Sequence, residues 1–399
     1  MMNRRELLQS ISAAPFMGAA MPEQRQRETV KTSISDLEIF RVKVNKRGDW
    51  VLLRLRASNG LTGLGEASHS GANETVIQLL REYVRGLKSR SVFDIAWLRQ
   101  WGEAEIAKRG TAAKVATSAI EQACWDIQGQ TLGVPVYQLF GGKLRDRIRQ
   151  YANTNRSADP RTPEGFAGMA ERAAAAGFDA VKLAPFDGLP KNTTAEGLGA
   201  RVSLGIECAV AVRQTLGEKR DLLVDLHSLF NKTQAIEIAS RLEPLKLFWL
   251  EEVTPHTAVA DMAAVKRVIK MPIAAGEQLY GVKEFYDFVA VNAVHTLMPD
   301  IKYCGGMLEL KKIAALGEAV GMNVSPHGPA SPVGNIAAAH ICAGLPNFNI
   351  LEFAFGEVPW RSELIDPPEL IERSHLTLSE RPGFGIKLND KIVKEHQVL

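Results

Sequence analysis

Short apolar segments recur along the second part of the chain, and stretches with apolar residues at helical spacing separate them. Eight such segments occur, in the order IRQYAN, DAVKLA, DLLVDLH, LFWLEE, PIAAGE, HTLMPD, NVSPH and NILEF. Brief apolar strands that alternate with helices are typical of parallel βαβ units. We therefore predict an α/β domain with eight parallel strands over residues 148–352.

The preceding region has a different pattern. SDLEIFRVKV and WVLLRLRASNG alternate apolar and polar residues, and Asn59-Gly60 predicts a tight turn. Two stretches with helical periodicity follow, and the second, AAKVATSAIEQACWDIQGQTLG, ends at Gly133 just before Pro135. These features predict an antiparallel meander with helices, an α+β domain over residues 33–147.

Polar residues end six of the predicted parallel strands at nearly constant spacing. Successive intervals are 26, 26, 23, 27 and 25 residues in the series Asp225, Glu251, Glu277, Asp300, His327 and Glu352. In a (β/α)8 barrel the carboxyl ends of all strands meet at one face, where active sites lie. A single carboxylate after a strand more often caps the next helix. A whole set in phase indicates a ring of functional residues at the barrel mouth.

Three of these carboxylates, Asp225, Glu251 and Glu277, follow consecutive strands. Clustered carboxylates repel one another in a partly buried site unless a cation neutralises them. Oxygen ligands without cysteine favour a hard divalent ion, so we predict one Mg²⁺ per site. Glu252 follows Glu251 and would point away on a regular strand, so it either supports the ligands from behind, begins the next helix or lies at the surface.

The remaining ring residues suggest proton transfer. His327 next to Asp300 has the composition of a general-base dyad, because a carboxylate orients the imidazole and makes it more basic. His227 lies two residues after Asp225, on the same face of its strand, and would face His327 across the metal. Two opposed imidazoles suit proton removal at one carbon and proton donation to a leaving group.

Two further residues are candidates for holding an anionic substrate. Glu352 ends the eighth strand and could hold a substrate carboxylate oxygen if it is protonated or hydrogen-bonded through a partner. Lys182 ends the second strand and would supply positive charge, the alternative being a lysine that extends to solvent at the barrel rim. Histidines outside the series, including His69 and His256, are interpreted as structural or exposed.

Composition excludes several classes of protein. The 399 residues are 46% hydrophobic and 23% charged, with a formal net charge of +3. This near balance gives no reason to expect nucleic acid or an anionic membrane surface as a partner. The four cysteines show no CxxC spacing, so we expect buried thiols and not a disulfide framework or a zinc site.

Residues 1–28 differ from the rest of the chain. Arg4 and Arg5 precede a short apolar stretch and small residues, the layout of an export signal, and the arginine pair suggests the twin-arginine route. The other interpretation is an extension of a cytoplasmic protein. The location therefore stays open between periplasm and cytoplasm.

The motifs together resemble the enolase superfamily, in its mandelate racemase/muconate lactonizing enzyme branch. The resemblance covers nearly all of residues 33–390 and rests on AIEQACWDIQGQTLGVPVYQLFGGKLRDRIRQYA, VDLH, WLEE, AAGEQ, MPDIKYCGG, SPHGP and ILEF. It implies a modified TIM barrel, (β/α)7β, with an N-terminal α+β capping domain and a C-terminal segment, residues 353–399, that returns to the cap. Homo-oligomers are also expected of such proteins.

The resemblance also implies chemistry. Abstraction of the proton next to a carboxylate, assisted by Mg²⁺, gives a metal-stabilised enediolate. It assigns the metal to Asp225, Glu251 and Glu277, the base to His327 with Asp300, and enediolate stabilisation to Glu352. His227 matches the proton donor of galactonate dehydratase-like acid-sugar dehydratases.

The second strand separates dehydratases from racemases. Racemases and cycloisomerases of this family carry Lys-x-Lys there, whereas this chain has Lys182 followed by Ala184. We therefore expect a hydro-lyase that converts an acid sugar, an aldonate in the first instance, to a 2-keto-3-deoxy acid. An epimerase, racemase or cycloisomerase that uses the same enediolate is the alternative, and a catalytically silent metal-binding protein is the third hypothesis.

Overall fold

The computed structural model describes residues 32–69, 71–188 and 194–398. Residues 1–28, the proposed export signal, lie outside the described part of the chain. Among the described helices, none is long and apolar enough to cross a membrane.

The N-terminal region forms an antiparallel meander covered by helices. Its strands are β1 (Ile34–Asn45), β2 (Gly48–Ala57) and β3 (Thr62–Glu66), and its helices are α1 (Asn73–Leu87), α2 (Ile95–Arg109), α3 (Thr111–Leu132) and the short α4 (Val136–Leu139). The strands pair in the order β1-β2-β3, with the predicted turn at Asn59-Gly60 between the last two. Helix α3 ends at Gly133 in a left-handed conformation, as the sequence predicts.

The second region is a barrel of eight parallel strands. These are β4 (Arg147–Asn153), β5 (Ala180–Leu183), β6 (Asp221–Asp225), β7 (Trp249–Glu251), β8 (Ile273–Ala275), β9 (Thr296–Leu297), β10 (Asn323–Val324) and β11 (Leu351–Ala354). Each strand pairs with the next from β4 to β10, and β11 pairs with β4. A parallel bridge between Val324 and Phe348 completes the ring.

Seven helices connect these strands in turn. They are α5 (Pro163–Ala175), α6 (Ala195–Leu216), α7 (Lys232–Leu242), α8 (Val259–Val268), α9 (Gly281–Ala290), α10 (Met307–Glu318) and α11 (Pro332–Cys342), with a short 3-10 helix at Glu243–Leu245 after α7. Eight strands with seven intervening helices make a (β/α)7β barrel. The fold class predicted from the sequence is confirmed.

The chain ends in short elements that run back over both regions. These are a 3-10 helix (Arg361–Leu364), β12 (Ile365–Asp366), β13 (Ile371–Glu372), β14 (His375–Thr377), β15 (Lys387–Leu388) and α12 (Asp390–His396). Strand β14 pairs antiparallel with β4 of the barrel, and Gln397 bridges to Val42 of β1. The domain boundaries at residues 147 and 352 remain a prediction.

One apolar side chain from nearly every barrel strand fills the interior below the mouth. This layer consists of Tyr151, Ala180, Leu223, Trp249, Ala274, Met298 and Ile350. Because side chains alternate along a strand, the residue two positions later points into the same interior but nearer the carboxyl end. The apolar layer is therefore the floor on which the polar ring lies.

Two buried carboxylates attach the N-terminal region to the barrel. Glu66 Oε2 accepts hydrogen bonds from the backbone N–H groups of Ser331 and Gly334 at the start of α11, at 2.8 and 3.1 Å. Glu121 accepts from the N–H groups of Met307 and Leu308 at the start of α10, at 2.8 and 3.1 Å. A carboxylate at a helix N-terminus satisfies free backbone donors and interacts favourably with the helix dipole. These contacts fix where the cap loops lie over the barrel mouth.

All four cysteines are buried free thiols, as expected.

Candidate active site

The polar ring lies one step above the apolar floor. Six of its members follow a floor residue by two positions, and they are Asn153, Lys182, Asp225, Glu251, Asp300 and Glu352. All six are buried. Asn153 was missed at the sequence level, although its position at the end of the first barrel strand gave the same signal.

The three predicted metal ligands lie together. One carboxylate oxygen from each of Asp225, Glu251 and Glu277 lies within 4.8 Å of the other two. Glu277 reaches the group from beyond β8 because Gly276 has a φ of 123°, which turns the chain there. Among the described residues, this is the group of three that offers metal-ligand spacing.

The carboxylate group fits a divalent cation. Asp225 Oδ2 and Glu277 Oε2 are buried and accept no hydrogen bond among the described residues. Their charged neighbours are the imidazole nitrogens of His227 and His327, and buried oxygens with unused acceptor capacity in one cluster fit the ligands of a divalent cation. Burial, followed by repulsion from Asp225, raises the pKa of Glu251 well above its usual range, the effect a cation would reverse.

Lys182 lies inside the ring and not at the rim. Its Nζ is 2.5 Å from Glu251 Oε1 and 3.0 Å from Glu352 Oε1, and the side chain is 1% exposed. The alternative of a lysine that extends to solvent is therefore wrong. Burial lowers its pKa, but the surrounding carboxylates outweigh burial and raise the pKa well above the ordinary value. Lys182 is a fixed positive charge at the base of the mouth.

His327 and Asp300 form the predicted pair. His327 Nδ1 lies 2.8 Å from Asp300 Oδ2, and Nε2 lies 3.2 Å from Glu277 Oε2. Burial lowers the pKa of His327, but the neighbouring carboxylates outweigh burial and raise it to about 9. The pair directs Nε2 of the imidazole at the carboxylate cluster.

His227 makes an equivalent arrangement at the other end of the cluster. Its Nε2 is 3.1 Å from Asp225 Oδ2, and its Nδ1 forms a short hydrogen bond with Asp187. The backbone has a φ of 46° at His227, so the strand has ended and a left-handed turn aims the ring. Hydrogen bonding to this imidazole outweighs burial and lowers the pKa of Asp187 to about 2.

Sequence reasoning missed Asp187. It lies four residues beyond β5, in the loop after the second barrel strand, and therefore outside the strand-end series. Arg47 and Arg161 hold the same carboxylate, with nitrogen–oxygen distances of 2.8 and 3.2 Å. A search for polar residues in the loops after each strand would have found it.

Glu352 is held by several donors. Its Oε1 accepts from Asn153 at 2.5 Å and its Oε2 from the backbone N–H of Gly328 at 2.7 Å. Burial raises its pKa, but the ammonium of Lys182 and the other donors outweigh burial and hold the pKa at about 2. Of the two sequence-level alternatives, the geometry favours an ionised Glu352 that acts through its partners.

Glu252 is not a surface residue, contrary to one of the sequence-level interpretations. It is buried, with a φ of 46° that turns its side chain behind the cluster. Its two oxygens accept from Ser228 Oγ and from the backbone N–H of Gly276, each at 2.7 Å. Glu252 therefore orders the turns that carry His227 and Glu277. Burial, followed by repulsion from Glu277, raises its pKa to about 7.

A cavity of about 640 Å³ opens above the ring and is shared by the barrel and the N-terminal region. Lys182, His227, Glu277 and His327 line its base. His69 and His256, interpreted from the sequence as structural or exposed, are partly buried and also line this cavity. His69 Nδ1 is 3.3 Å from the hydroxyl of Tyr303, which fixes this cap loop against the loop after β9.

The chain is similar in sequence to two enolase-superfamily domain families and to several named acid-sugar dehydratases. Residues 29–141 match the N-terminal domain of mandelate racemase / muconate lactonizing enzyme, and residues 166–392 match the enolase C-terminal domain-like family. D-gluconate dehydratase of Thermoproteus tenax is 31% identical over 87% of this chain and 69% of its own length. D-xylonate dehydratase of Haloferax volcanii is 30% identical over 92% and 90%, and D-galactonate dehydratase of Ralstonia pickettii is 29% identical over 87% and 90%.

Solved structures agree with these matches. A mandelate racemase/muconate lactonizing enzyme-like protein from Rubrobacter xylanophilus has a TM-score of 0.82 and 31% identity, covering 92% of this chain and 98% of that one. A mandelate racemase/muconate lactonizing enzyme from Jannaschia has a TM-score of 0.82 and 29% identity over the same shares. The chain belongs to the enolase superfamily, in the mandelate racemase/muconate lactonizing enzyme family.

Proposed function

We propose that this protein is a Mg²⁺-dependent dehydratase of acid sugars. It abstracts the proton next to the substrate carboxylate, eliminates the 3-hydroxyl as water and yields a 2-keto-3-deoxy acid. The curated relatives described above are named dehydratases, and this chain is a hydro-lyase of the same superfamily. Their substrates are the acid sugars gluconate, xylonate and galactonate.

One observation carries the proposal, the presence of two His–Asp pairs that face one carboxylate cluster. His327 with Asp300 touches the cluster at Glu277, and His227 with Asp187 touches it at Asp225. Elimination needs a base at one carbon and an acid at the next. The two imidazoles supply both groups to one cavity.

The base side acts on the carbon next to the substrate carboxylate. A cation held by Asp225, Glu251 and Glu277 would stabilise the negative charge that develops on the carboxylate oxygens. Lys182 would add positive charge beside the substrate carboxylate, and Glu352, itself held by Asn153, keeps the Lys182 ammonium in place. His327 Nε2 takes the C2 proton, while Asp300 stabilises the imidazolium that forms.

The acid side completes the elimination. His227 donates its Nε2 proton to the 3-hydroxyl, the C3–O bond breaks, and the hydroxyl leaves as water. The electron pair from the C2–H bond becomes the C2–C3 double bond, and the resulting enol takes a proton at C3 to give the 2-keto-3-deoxy acid. Asp187 holds the ring so that Nε2 faces the cavity throughout.

An epimerase that works through the same enediolate is the second candidate, because two imidazoles at opposite ends of a cluster could act as opposed bases. Dehydration has more support. Lys182 is followed at position 184 by a buried alanine, so the second strand offers no second base, and the named relatives are dehydratases.

A substrate screen tests the proposal. Protein lacking residues 1–28 is incubated with Mg²⁺ and individual C5 and C6 aldonic and aldaric acids, and 2-keto products are detected with semicarbazide. We expect at least one acid sugar to give product, and His327→Gln to lower kcat by about 10²- to 10⁴-fold, the usual contribution of a general base. His375→Gln, a change at a partly exposed histidine of β14, is the matched control. C2 proton exchange without water loss would replace dehydration by epimerisation.

A further inference from the structure

Lys302 is a buried lysine that the mechanism above does not use. Its side chain is 5% exposed, it lines the cavity, and it follows Asp300 by two residues in the loop after β9. Its Nζ lies 3.5 Å from Asp300 Oδ2 and donates no hydrogen bond to any described residue. An ammonium has three donors, so a lysine that lines a cavity and has one ion-pair partner at 3.5 Å can still donate to a further acceptor.

Asp300 does not satisfy Lys302. The Asp300 carboxylate already accepts from His327 Nδ1 at 2.8 Å and from the backbone N–H of Lys302 at 2.7 Å. The lysine ammonium is therefore held near the base pair while its own donors face the cavity. A substrate oxygen is the acceptor that this arrangement lacks.

Lys114 brings a second free charge to the same cavity from the cap. It lies on α3, contacts the Tyr280 ring at 5.1 Å, and forms no ion pair with a described residue. By contrast, three other cations that line the cavity are matched by carboxylates, Arg47 by Asp187, Arg156 by Glu357 and Lys182 by Glu251. Lys114 thus has no partner anion among the described residues, and Lys302 shares its one partner, Asp300, with His327.

The first substrate carboxylate cannot match these two charges, because Lys182 and the carboxylate cluster receive it at the base of the cavity. Building on the proposed function, we infer that the substrate is a dianion whose second anionic group, at the end of the carbon chain remote from the reacting carboxylate, is bound by Lys302 and Lys114. An aldarate has this chemistry. The relatives named above act on gluconate, xylonate and galactonate, each with one carboxylate, so the inference separates this chain from them.

Matched pairs of substrates test the inference. Initial rates with Mg²⁺ are compared for gluconate against glucarate and for galactonate against galactarate, which share the stereochemistry of the reacting carbons. We expect the aldarate of the productive pair to have the higher kcat/KM by at least about 10-fold, the scale of one charge-assisted hydrogen bond. A terminal phosphate would contact the same ammonium groups. The third substrate compared is therefore 6-phosphogluconate, which distinguishes a terminal phosphate from a terminal carboxylate as the second anionic group.

Variants of Lys302 and Lys114 test whether these two residues cause the preference for a dianionic substrate. Lys302→Met and Lys114→Met should each reduce the ratio of dianion to monoanion kcat/KM about 10-fold or more, mainly through KM, and Lys302→Arg should restore part of it. Lys283→Met, an exposed lysine on α9, is the control and should leave the ratio unchanged. A preference for the aldonate, or a dianion preference that survives both methionine variants, overturns the inference.

The two proposals can fail separately. If an aldonate is dehydrated and no dianion is preferred, the dehydratase function stands and the dianion inference is wrong. If no acid sugar loses water, the proposed function fails. Calorimetric titration of the same pairs into the Mg²⁺-loaded wild type and Lys302→Met then decides whether the cavity prefers a second anion.

Discussion

Each candidate catalytic imidazole has one nitrogen held by a carboxylate and the other aimed at the cluster. For His327 the holding carboxylate is Asp300, and for His227 it is Asp187. A carboxylate at Nδ1 fixes the ring orientation and stabilises the proton on that nitrogen, which leaves Nε2 for the substrate. Both rings have a carboxylate partner at Nδ1. Their different roles, proton removal by His327 and proton donation by His227, therefore depend on which part of the cavity each ring faces.

Asp187 should matter to elimination but not to formation of the enediolate. We predict that Asp187→Asn lowers the rate of water loss by about 10- to 100-fold, the usual effect of removing a carboxylate that orients an active-site histidine. Exchange of the C2 proton with solvent should change by much less, because His327 and Asp300 are untouched. Both rates can be followed by proton NMR in D₂O.

A change at a surface carboxylate is the control for Asp187→Asn. Asp146 is 80% exposed and pairs only with Lys143 among the described residues, so Asp146→Asn should leave both rates at the wild-type value. Equal loss of exchange and elimination in Asp187→Asn would contradict a role specific to His227.

The side chains at strand ends or up to three residues beyond them were predictable, and those further along the loops were not. Lys182, Asp225 and Glu251 follow from the period of two within strands combined with the spacing of βα units. Asp187 and Lys302 lie beyond their strands, where the chain direction depends on turns that no periodicity encodes. Their roles depend on distances to other loops, which a single sequence does not give.

Among the larger elements, β3 and α11 are joined by one buried carboxylate. Glu66 Oε2 accepts from Ser331 N, Ser331 Oγ and Gly334 N, and a Cβ at position 334 would lie 2.2 Å from this oxygen. Glycine at that position is therefore what allows the carboxylate to approach the helix end. The contact sets the position of the cap strand that leads into the His69 loop.

Glu66→Ala should destabilise the protein strongly. It leaves several buried donors at the start of α11 without an acceptor, for which we expect a loss on the order of 3 kcal/mol in the free energy of unfolding. Urea unfolding followed by circular dichroism measures it. Glu74→Ala removes a 63% exposed partner of Arg41 and should cost less than about 1 kcal/mol. Similar losses of unfolding free energy for both variants would contradict the role of Glu66 in joining β3 to the start of α11.

Helix α11 also carries a buried histidine that should make stability depend on pH. His340 Nδ1 accepts from the backbone N–H of Tyr137 on α4 at 3.2 Å, and Nε2 lies 3.3 Å from the carbonyl oxygen of Phe384. Burial lowers the pKa of His340 to about 4 from the ordinary value of 6.5. Between these values the unfolded chain binds a proton that the folded protein does not, so this residue's contribution to stability falls as pH falls.

His340→Gln should remove that dependence while it keeps a donor and an acceptor. From pH 7 to pH 4 the wild type should lose up to about 3 kcal/mol more unfolding free energy than the variant. The difference in unfolding free energy between the wild type and His340→Gln should therefore become smaller as the solution is acidified. His375→Gln should follow the wild-type curve, and parallel curves for wild type and His340→Gln would show that His340 titrates alike in both states.

For the molecule as a whole, cation binding should be coupled to stability. A ligand that binds only the folded state stabilises by mass action, about 2.7 kcal/mol at a concentration 100 times the dissociation constant. We predict that Mg²⁺ raises Tm by several degrees, that a chelator reverses the rise, and that Glu251→Gln abolishes it. Glu237→Gln, at an exposed position on α7, should respond to Mg²⁺ like the wild type. An unchanged response in Glu251→Gln would place the cation elsewhere.

The sequence predicts the whole barrel, but it does not predict which residues of the N-terminal region line the cavity. Eight short strands with nearly constant spacing specify which side chains meet at the mouth. The cavity also depends on how the cap sits over the barrel, and His69, Lys114 and Trp50 come from three separate cap segments. Their approach follows from buried contacts such as Glu66 with α11, which leave no periodic signal in the chain.

The central claim is that one imidazole removes the C2 proton and the other releases the 3-hydroxyl. It is tested most directly by proton NMR in D₂O with Mg²⁺ on the productive acid sugar, comparing wild type, His327→Gln and His227→Gln. The account predicts a wild-type product with deuterium at C3, neither exchange nor product in His327→Gln, and C2 exchange without product in His227→Gln. Full water loss in His227→Gln, or C2 exchange that persists in His327→Gln, would contradict it.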